Sequence, residues 1–290
     1  MSEGRIRMKE FEIKQRDERA NRVVQKYGKT LWHYTDVNAL NGILNNREIW
    51  FGSAANMNDK EELRGFISDL KVAVFHDITE DKNIKANEVF TKIEDKLTEQ
   101  YPFIFSVSKA PDDAAQWERY AKQGKGIAIV FNTELLYKLI FYNHFVMDEE
   151  YYGYNAKQHK MKELLVDYIQ NNKMEEFTNL EGLIDNLLLC AMIHKHESFS
   201  AEQEIRLSPY FIKDDDSRLQ YKILSTIKKV FVLDIDKLCQ KEGINLESII
   251  DAIVIGPRSE QNGEDLKWYC KKIGLLRLAE KIYKSNCPLR

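Results

Sequence analysis

The run Ile127-Ala-Ile-Val-Phe131 is apolar at every position and follows Gly124 and Gly126. A strand exposed on one face would alternate apolar with polar residues, so an unbroken apolar run is suited to a central place in a sheet. Ala252-Ile-Val-Ile255 repeats the pattern and stops at Gly256-Pro257. Further strand signals lie at Thr30–Thr35, Glu48–Ser53, Phe103–Ser108, Phe145–Tyr154, Phe199–Leu207 with Tyr210 to Ile212, Leu219–Ile223, Val230–Leu233 and Leu275–Ile282. Between them stand helical patterns: Leu63, Phe66, Ile67, Leu70 and Val74 share one helical face, as do Val89, Phe90, Ile93 and Leu97 beyond a break at 77–83. Shorter helices are expected at 133–140, 246–251 and after Arg258. Strands and helices mix without a regular βαβ repeat. The expected fold is therefore α+β: one domain, residues 29–290, with a mixed, mostly antiparallel sheet flanked by helices and helical insertions at about 60–100 and 156–198. Residues 1–28 form a charged helix ended by Gly28, packed loosely over the body or against a partner chain.

Charge and cysteine usage narrow the function classes. Lys and Arg number 43 against 46 Asp and Glu, a net charge of -3, so no basic excess points to nucleic acid. The N-terminal segment is charged rather than apolar, and no apolar run approaches the roughly 18 residues of a membrane span. Cys190, Cys239, Cys270 and Cys287 are widely spaced, with no CxxC pair to suggest a disulfide framework or a zinc site. The expectation is a cytoplasmic protein with reduced thiols, no membrane partner and no metal.

Several polar residues stand where chemistry is often placed. His33 ends a strand just before Asp36, a good N-cap for the next helix; it reads either as a ligand contact or as a core histidine satisfied by a backbone carbonyl. Asn58 or Asp59 caps another helix, with Glu61 and Glu62 complementing its positive end. Ser106 and Ser108 share one face of their strand. Trp117 and Tyr120, three apart on a helix, are neighbours on its surface. The glycines around Lys125 make neither a Walker loop nor a GxGxxG fingerprint. His194 and His196 read as partners of a helix C-terminus rather than metal ligands. Glu202, Glu204 and Arg206 alternate along an expected strand and so project from one face. Three ionisable groups in a row are costly in a dry interior, so that face meets solvent, its own members or a polar cleft. The plain alternative is a charged edge strand that resists sheet-to-sheet association.

Taken in order, Leu31-Trp-His-Tyr-Thr35, Ile49-Trp-Phe51 with Asn58-Asp59 and Glu61 or Glu62, Phe105-Ser106 with Trp117 and Tyr120 before Gly126, Glu202-Gln-Glu-Ile-Arg206, Ile255-Gly-Pro257, then Ser285 and Arg290, resemble a bacterial family catalogued as domain of unknown function 2971, over almost the whole chain from residue 31. More remotely, a strand ending His-Tyr-Thr, a later serine-bearing strand backed by an aromatic helix, and a late Glu-x-Glu resemble the ADP-ribosyltransferase superfamily of NAD-using toxins and polymerases. The resemblance implies an ADP-ribosyltransferase-like fold and NAD as substrate. It makes His33, with Tyr34 and Thr35, the ribose-holding element and Glu204 the catalytic carboxylate. Ser106, Trp117 or Tyr120 would line the nicotinamide pocket, Glu202 would orient the acceptor, and Arg206 would keep Glu204 ionised, bind pyrophosphate or simply hold the strand. His-Tyr-Thr replaces the commoner His-Gly-Thr or His-Gly-Ser. The implied activity is ADP-ribosyl transfer to a macromolecular acceptor or NAD hydrolysis, as in a toxin or antiphage effector. Two other readings are a non-catalytic nucleotide-sensing or protein-interaction module and a nuclease-type toxin with His33 as acid or base, the latter opposed by the charge balance.

Overall fold

The computed structural model describes residues 3–54, 59–99, 102–141, 145–149, 151–152, 156–173, 177–209, 212, 215–223 and 226–289. In chain order the elements are α1 (Glu3–Tyr27), β1 (Thr30–Thr35), α2 (Val37–Leu44), β2 (Glu48–Ser53), α3 (Asp59–Asp77), α4 (Asn83–Glu99), β3 (Phe103–Ser108), α5 (Ala114–Tyr120), β4 (Ile127–Asn132), α6 (Thr133–Phe141), β5 (Phe145–Glu149) and β6 (Tyr151–Tyr152). There follow α7 (Ala156–Asn171), α8 (Leu180–Met192), β7 (His194–Lys195), a 3-10 helix (Glu197–Glu202), β8 (Glu204–Pro209), β9 (Leu219–Ile223), β10 (Ile227–Asp234), α9 (Ile235–Glu242), α10 (Leu246–Ile249), β11 (Ile250–Ile255), α11 (Gly263–Lys272), α12 (Leu276–Ala279) and β12 (Ile282–Lys284). Asn58, Tyr210, Phe211 and Arg290, and the side chains of Asp59, Glu61 and Glu62, all singled out in the sequence, lie outside the described residues and side chains.

The fold is α+β, with a mixed sheet of ten strands flanked by helices in one domain. Its order is β12-β11-β4-β1-β3-β2-β10-β9, and β8 pairs with β3 and with β5. Every pairing in this sheet is antiparallel except β11 with β12. The apolar β4 lies between β1 and β11, and its first five residues are buried, as a strand covered on both faces requires.

One face of the sheet packs Leu31, Phe51, Phe105, Ile129, Ile205, Leu207 and Phe231 against α2, α6 and the C-terminal helices. The other face is covered by two bodies. Trp117 of α5, with Trp32, Tyr34, Ala128, Val130, Ala252 and Val254, closes the part over β1, β4 and β11. A helical lobe of α3, α4, α7 and α8 closes the part over Ile104 and Val146. These helices are the insertions expected from sequence, with α7 and α8 in place of one continuous block.

Local chemistry fixes the joints. Asp36 and Asp113 cap α2 and α5 by accepting from the Ala39 and Gln116 amides, each at 3.0 Å. The start of β4 is so crowded that a Cβ on Gly126 would collide with the carbonyl oxygens of Thr35 and Ala121. The tail is tied down: Asp112 accepts from the Ser285 hydroxyl and the Asn286 amide. Two expectations need correction. Leu275–Ile282 is no strand; it turns through α12, and β12 begins at Ile282, parallel to β11. Helix α8 ends at Met192, so His194 belongs to β7, while His196 caps the 3-10 helix by accepting from the Ser198 amide. Among the described residues no helix is long and apolar enough to cross a membrane, and no group of three or more His, Cys, Asp or Glu is placed to hold a metal.

Candidate functional site

Strand β3 carries two different neighbours at its two ends. It meets β1 at Trp32–Ser108 and β2 at Gly52–Ile104 and Ser53–Phe103. The Ala54 amide donates to the Pro102 carbonyl, and alternate residues of a strand turn their backbone groups to the same edge. The carbonyls of Pro102 and Ser106 therefore share the edge on which β1 and β2 diverge. Helix α2 joins the two diverging strands, and its Ala39, Gly42 and Ile43 line the gap between them. The fork opens a cavity of about 410 Å³ with β3 as its floor, a size suited to a small-molecule ligand.

His33 stands at the fork. Its Nδ1 lies 2.8 Å from the Ser106 carbonyl oxygen, and its ring stacks on Phe105 with centroids 4.3 Å apart. A carbonyl only accepts, so Nδ1 carries the proton. Burial depresses the pKa to about 4, against the smaller opposing effects of that bond and of Asp36. At neutral pH the ring is uncharged and Nε2 is left as an acceptor. A backbone carbonyl thus satisfies His33, as one of its two sequence readings expects, and the ring also lines the cavity.

The acidic stretch differs from its expected form. Glu202 ends the 3-10 helix, Gln203 takes a left-handed conformation (φ 45°), and only Glu204 and Arg206 lie on the strand. Strand β8 is no edge, being paired on both sides by β3 and β5. Nor do these side chains face solvent: Glu202, Glu204 and Arg206 are 1%, 7% and 1% exposed. They meet one another through Lys195, whose Nζ is 2.7 Å from Glu202 Oε2 and 2.7 Å from Glu204 Oε2. Arg206 Nε donates to Glu204 Oε1 at 3.3 Å, and its Nη1 donates to the Met192 carbonyl at 2.5 Å. Burial alone would raise the Glu204 pKa, but Arg206, Lys195 and the Ser106 hydroxyl outweigh it and hold the carboxyl at about 2. Glu204 is an ionised, desolvated carboxylate at neutral pH.

Glu202 is held more tightly still. Its carboxylate takes Arg119 Nη1 at 2.5 Å and the Tyr120 hydroxyl at 2.8 Å besides Lys195. Its carbonyl takes the Ser108 hydroxyl at 2.7 Å and Gln116 Nε2 at 2.8 Å. These bonds engage both carboxylate oxygens, so Glu202 positions Lys195 and Tyr120.

The aromatic candidates separate. Tyr120 borders the cavity and is 45% exposed. Trp117 does not: it is fully buried, edge-on to Tyr34 at 5.0 Å, and its Nε1 donates to Asp112 at 2.8 Å. Tyr34 borders the cavity while its hydroxyl donates to the Ala110 carbonyl at 2.7 Å. The fork therefore brings together His33, Tyr34, Thr35, Ser106, Tyr120, Glu202 and Glu204. Trp117 and Arg206 stand behind its walls, so neither offers a surface to a ligand, and Arg206 acts on the site through Glu204, whose carboxylate it helps to keep ionised. Sequence reasoning missed Lys195 and, on the far wall, Trp50, whose Nε1 donates to Glu48 at 2.6 Å and over whose ring lies Lys222 Nζ at 4.8 Å. Lys195 follows a long apolar helical run, and that position alone carried no signal of a buried charge.

Residues 116–207, from α5 to β8, match the model of a family described as protein of unknown function (DUF2971). The match takes in Tyr120, Lys195, Glu202, Glu204 and Arg206, and leaves the segment with His33 outside it. No curated protein and no solved structure matches the chain.

Proposed function

We propose that the fork binds NAD or a related nucleotide and that the chain is an NAD-consuming enzyme, transferring ADP-ribose to a macromolecular acceptor or to water. The observation that carries the reading is the meeting of His33 and Glu204, from distant parts of the chain, on the lining of one cavity. The remote resemblance to ADP-ribosyltransferases supports it. The residues present suit such a ligand. Neutral His33 offers Nε2 to a ribose hydroxyl, and Tyr120 offers an aromatic face to a cationic ring. Ionised Glu204 stabilises positive charge as it builds on a ribose whose bond to nicotinamide is breaking. For Glu204 to reach a ribose hydroxyl, Lys195 must turn its ammonium toward Glu202 alone.

The test is nicotinamide release from NAD by the purified protein and by Glu204→Gln. The reading expects release to fall by about a hundredfold or more, the scale of losing one preorganised electrostatic contact. Equal rates would remove Glu204 from the chemistry. A second reading, a nucleotide-sensing module without catalysis, is favoured by one observation: both Glu204 oxygens are already engaged by Lys195, Arg206 and Ser106. It expects nucleotide binding that survives Glu204→Gln.

A further inference from the structure

The far wall of the same cavity is chemically unlike the fork. Strand β10 pairs with β2 so that Val230 lies opposite Gly52 and Val232 opposite Trp50. Side chains alternate along a strand, which puts Lys228 on the face that carries Trp50, and Lys228 also lies opposite Lys222 of β9. Both Trp50 and Lys228 border the cavity.

The carboxylates on the cavity lining each have a cation against them. Glu48 is bonded to Lys222 at 2.9 Å, Glu202 to Arg119, and Glu204 to Lys195. Lys228 has no carboxylate and no hydrogen-bond acceptor against it among the described residues, and it is half-buried. The wall that Lys228 shares with Trp50 thus carries a positive charge with no protein counter-ion among the described residues.

We infer that the Trp50–Lys228 wall is an anion subsite, and that the cavity takes a ligand carrying a di- or monophosphate with these oxygens at Lys228. This rests on the nucleotide reading of the fork and extends it: the uncharged His33 end would hold a ribose, and the cationic end its phosphates. Lys228 then sets a preference for nucleotides over nucleosides. A compact ammonium on a flexible stem serves as a point charge to phosphate, and arginine can replace it.

The experiment is titration calorimetry of ADP and of adenosine into the wild-type protein, Lys228→Gln and Lys228→Arg, at low and at raised salt. The expected result has four parts. ADP binds wild type at least tenfold more tightly than adenosine, Lys228→Gln loses about tenfold for ADP with adenosine unchanged, Lys228→Arg keeps the preference, and raised salt weakens ADP alone. Equal affinity for ADP and adenosine, no binding of ADP, or ADP binding untouched in Lys228→Gln would each overturn the subsite. Nicotinamide release on the same proteins separates the two claims. An ADP preference lost in Lys228→Gln with no release by wild type keeps the subsite and removes the enzyme reading. Release with an unchanged KM for NAD in Lys228→Gln removes the subsite and keeps the enzyme.

Discussion

Replacing Lys195 by Met keeps an unbranched side chain one atom shorter and removes the charge from between two buried carboxylates. The Lys195 side chain is 4% exposed and its ammonium lies at the same 2.7 Å from Glu202 and Glu204, so nothing in solvent can substitute for it. The drop of the Glu204 carboxyl from its ordinary 4.5 to about 2 corresponds to about 3 kcal/mol, which Lys195 shares with Arg206, the larger contributor, and with Ser106. Removing Lys195 leaves both buried carboxylates without this cation, for an expected loss of about 3 kcal/mol at pH 7, at the lower end of the cost of removing one partner of a buried ion pair. The pH dependence carries a sign. A carboxyl with a depressed folded pKa contributes stability above its unfolded pKa and loses it as pH falls toward the folded one. In the wild type that loss runs from pH 4.5 down to about 2. In Lys195→Met the folded pKa moves back up, so the penalty is full at pH 7 and falls to roughly half by about pH 3. Urea unfolding of both proteins across this range measures it. A loss below about 1 kcal/mol at pH 7, or a penalty of the same size at about pH 3, would show that Lys195 is not the counter-ion of the two carboxylates.

Other substitutions probe the frame of the site. His33→Gln removes a ring whose protonation burial resists; the wild type loses stability as pH drops from 6.5 to 4 because its folded pKa lies below the unfolded one, so its advantage over the variant shrinks across that window in urea titrations, and a constant gap would contradict this. Gly126→Ala forces a methyl into the Thr35 and Ala121 carbonyls and is expected to lower Tm sharply or block folding, whereas Gly65→Ala, with open space around it, leaves Tm unchanged or slightly raised. Trp117→Ala empties a fully buried site at a cost of about 3–5 kcal/mol by chemical denaturation, while Tyr120→Phe costs less than about 1.5 kcal/mol, since it deletes one hydrogen bond at a half-open ring.

Much of the sheet was legible because its strands speak locally. Ile127–Phe131 and Ala252–Ile255 are apolar on both faces, and Phe103–Ser108 keeps its serines on one. The cap Asp36 was readable for the same reason. The acidic stretch was not, because the left-handed turn at Gln203 needs no glycine and leaves no mark, so a continuous strand was the natural reading. Its burial was hidden too. A row of charges is expected to face water unless its partner can be seen, and the partner, Lys195, arrives from the end of a helical insertion whose docking is a long-range event. The fork is equally non-local: it arises because β1 and β2 meet opposite ends of one strand, which no single segment encodes. His33 and Glu204 could be named from residue order and resemblance, yet their shared cavity is a property of the sheet.

If the fork is the working site, a single ligand touches both of those residues, and a crystal structure of the protein with NAD or ADP-ribose decides whether it does. A ribose hydroxyl is expected within hydrogen-bonding distance of His33 Nε2, with the Glu204 carboxylate turned from Lys195 toward the same sugar and phosphate oxygens near Lys228. Ligand bound away from the fork, or a fork left empty at saturating nucleotide, would contradict the nucleotide reading.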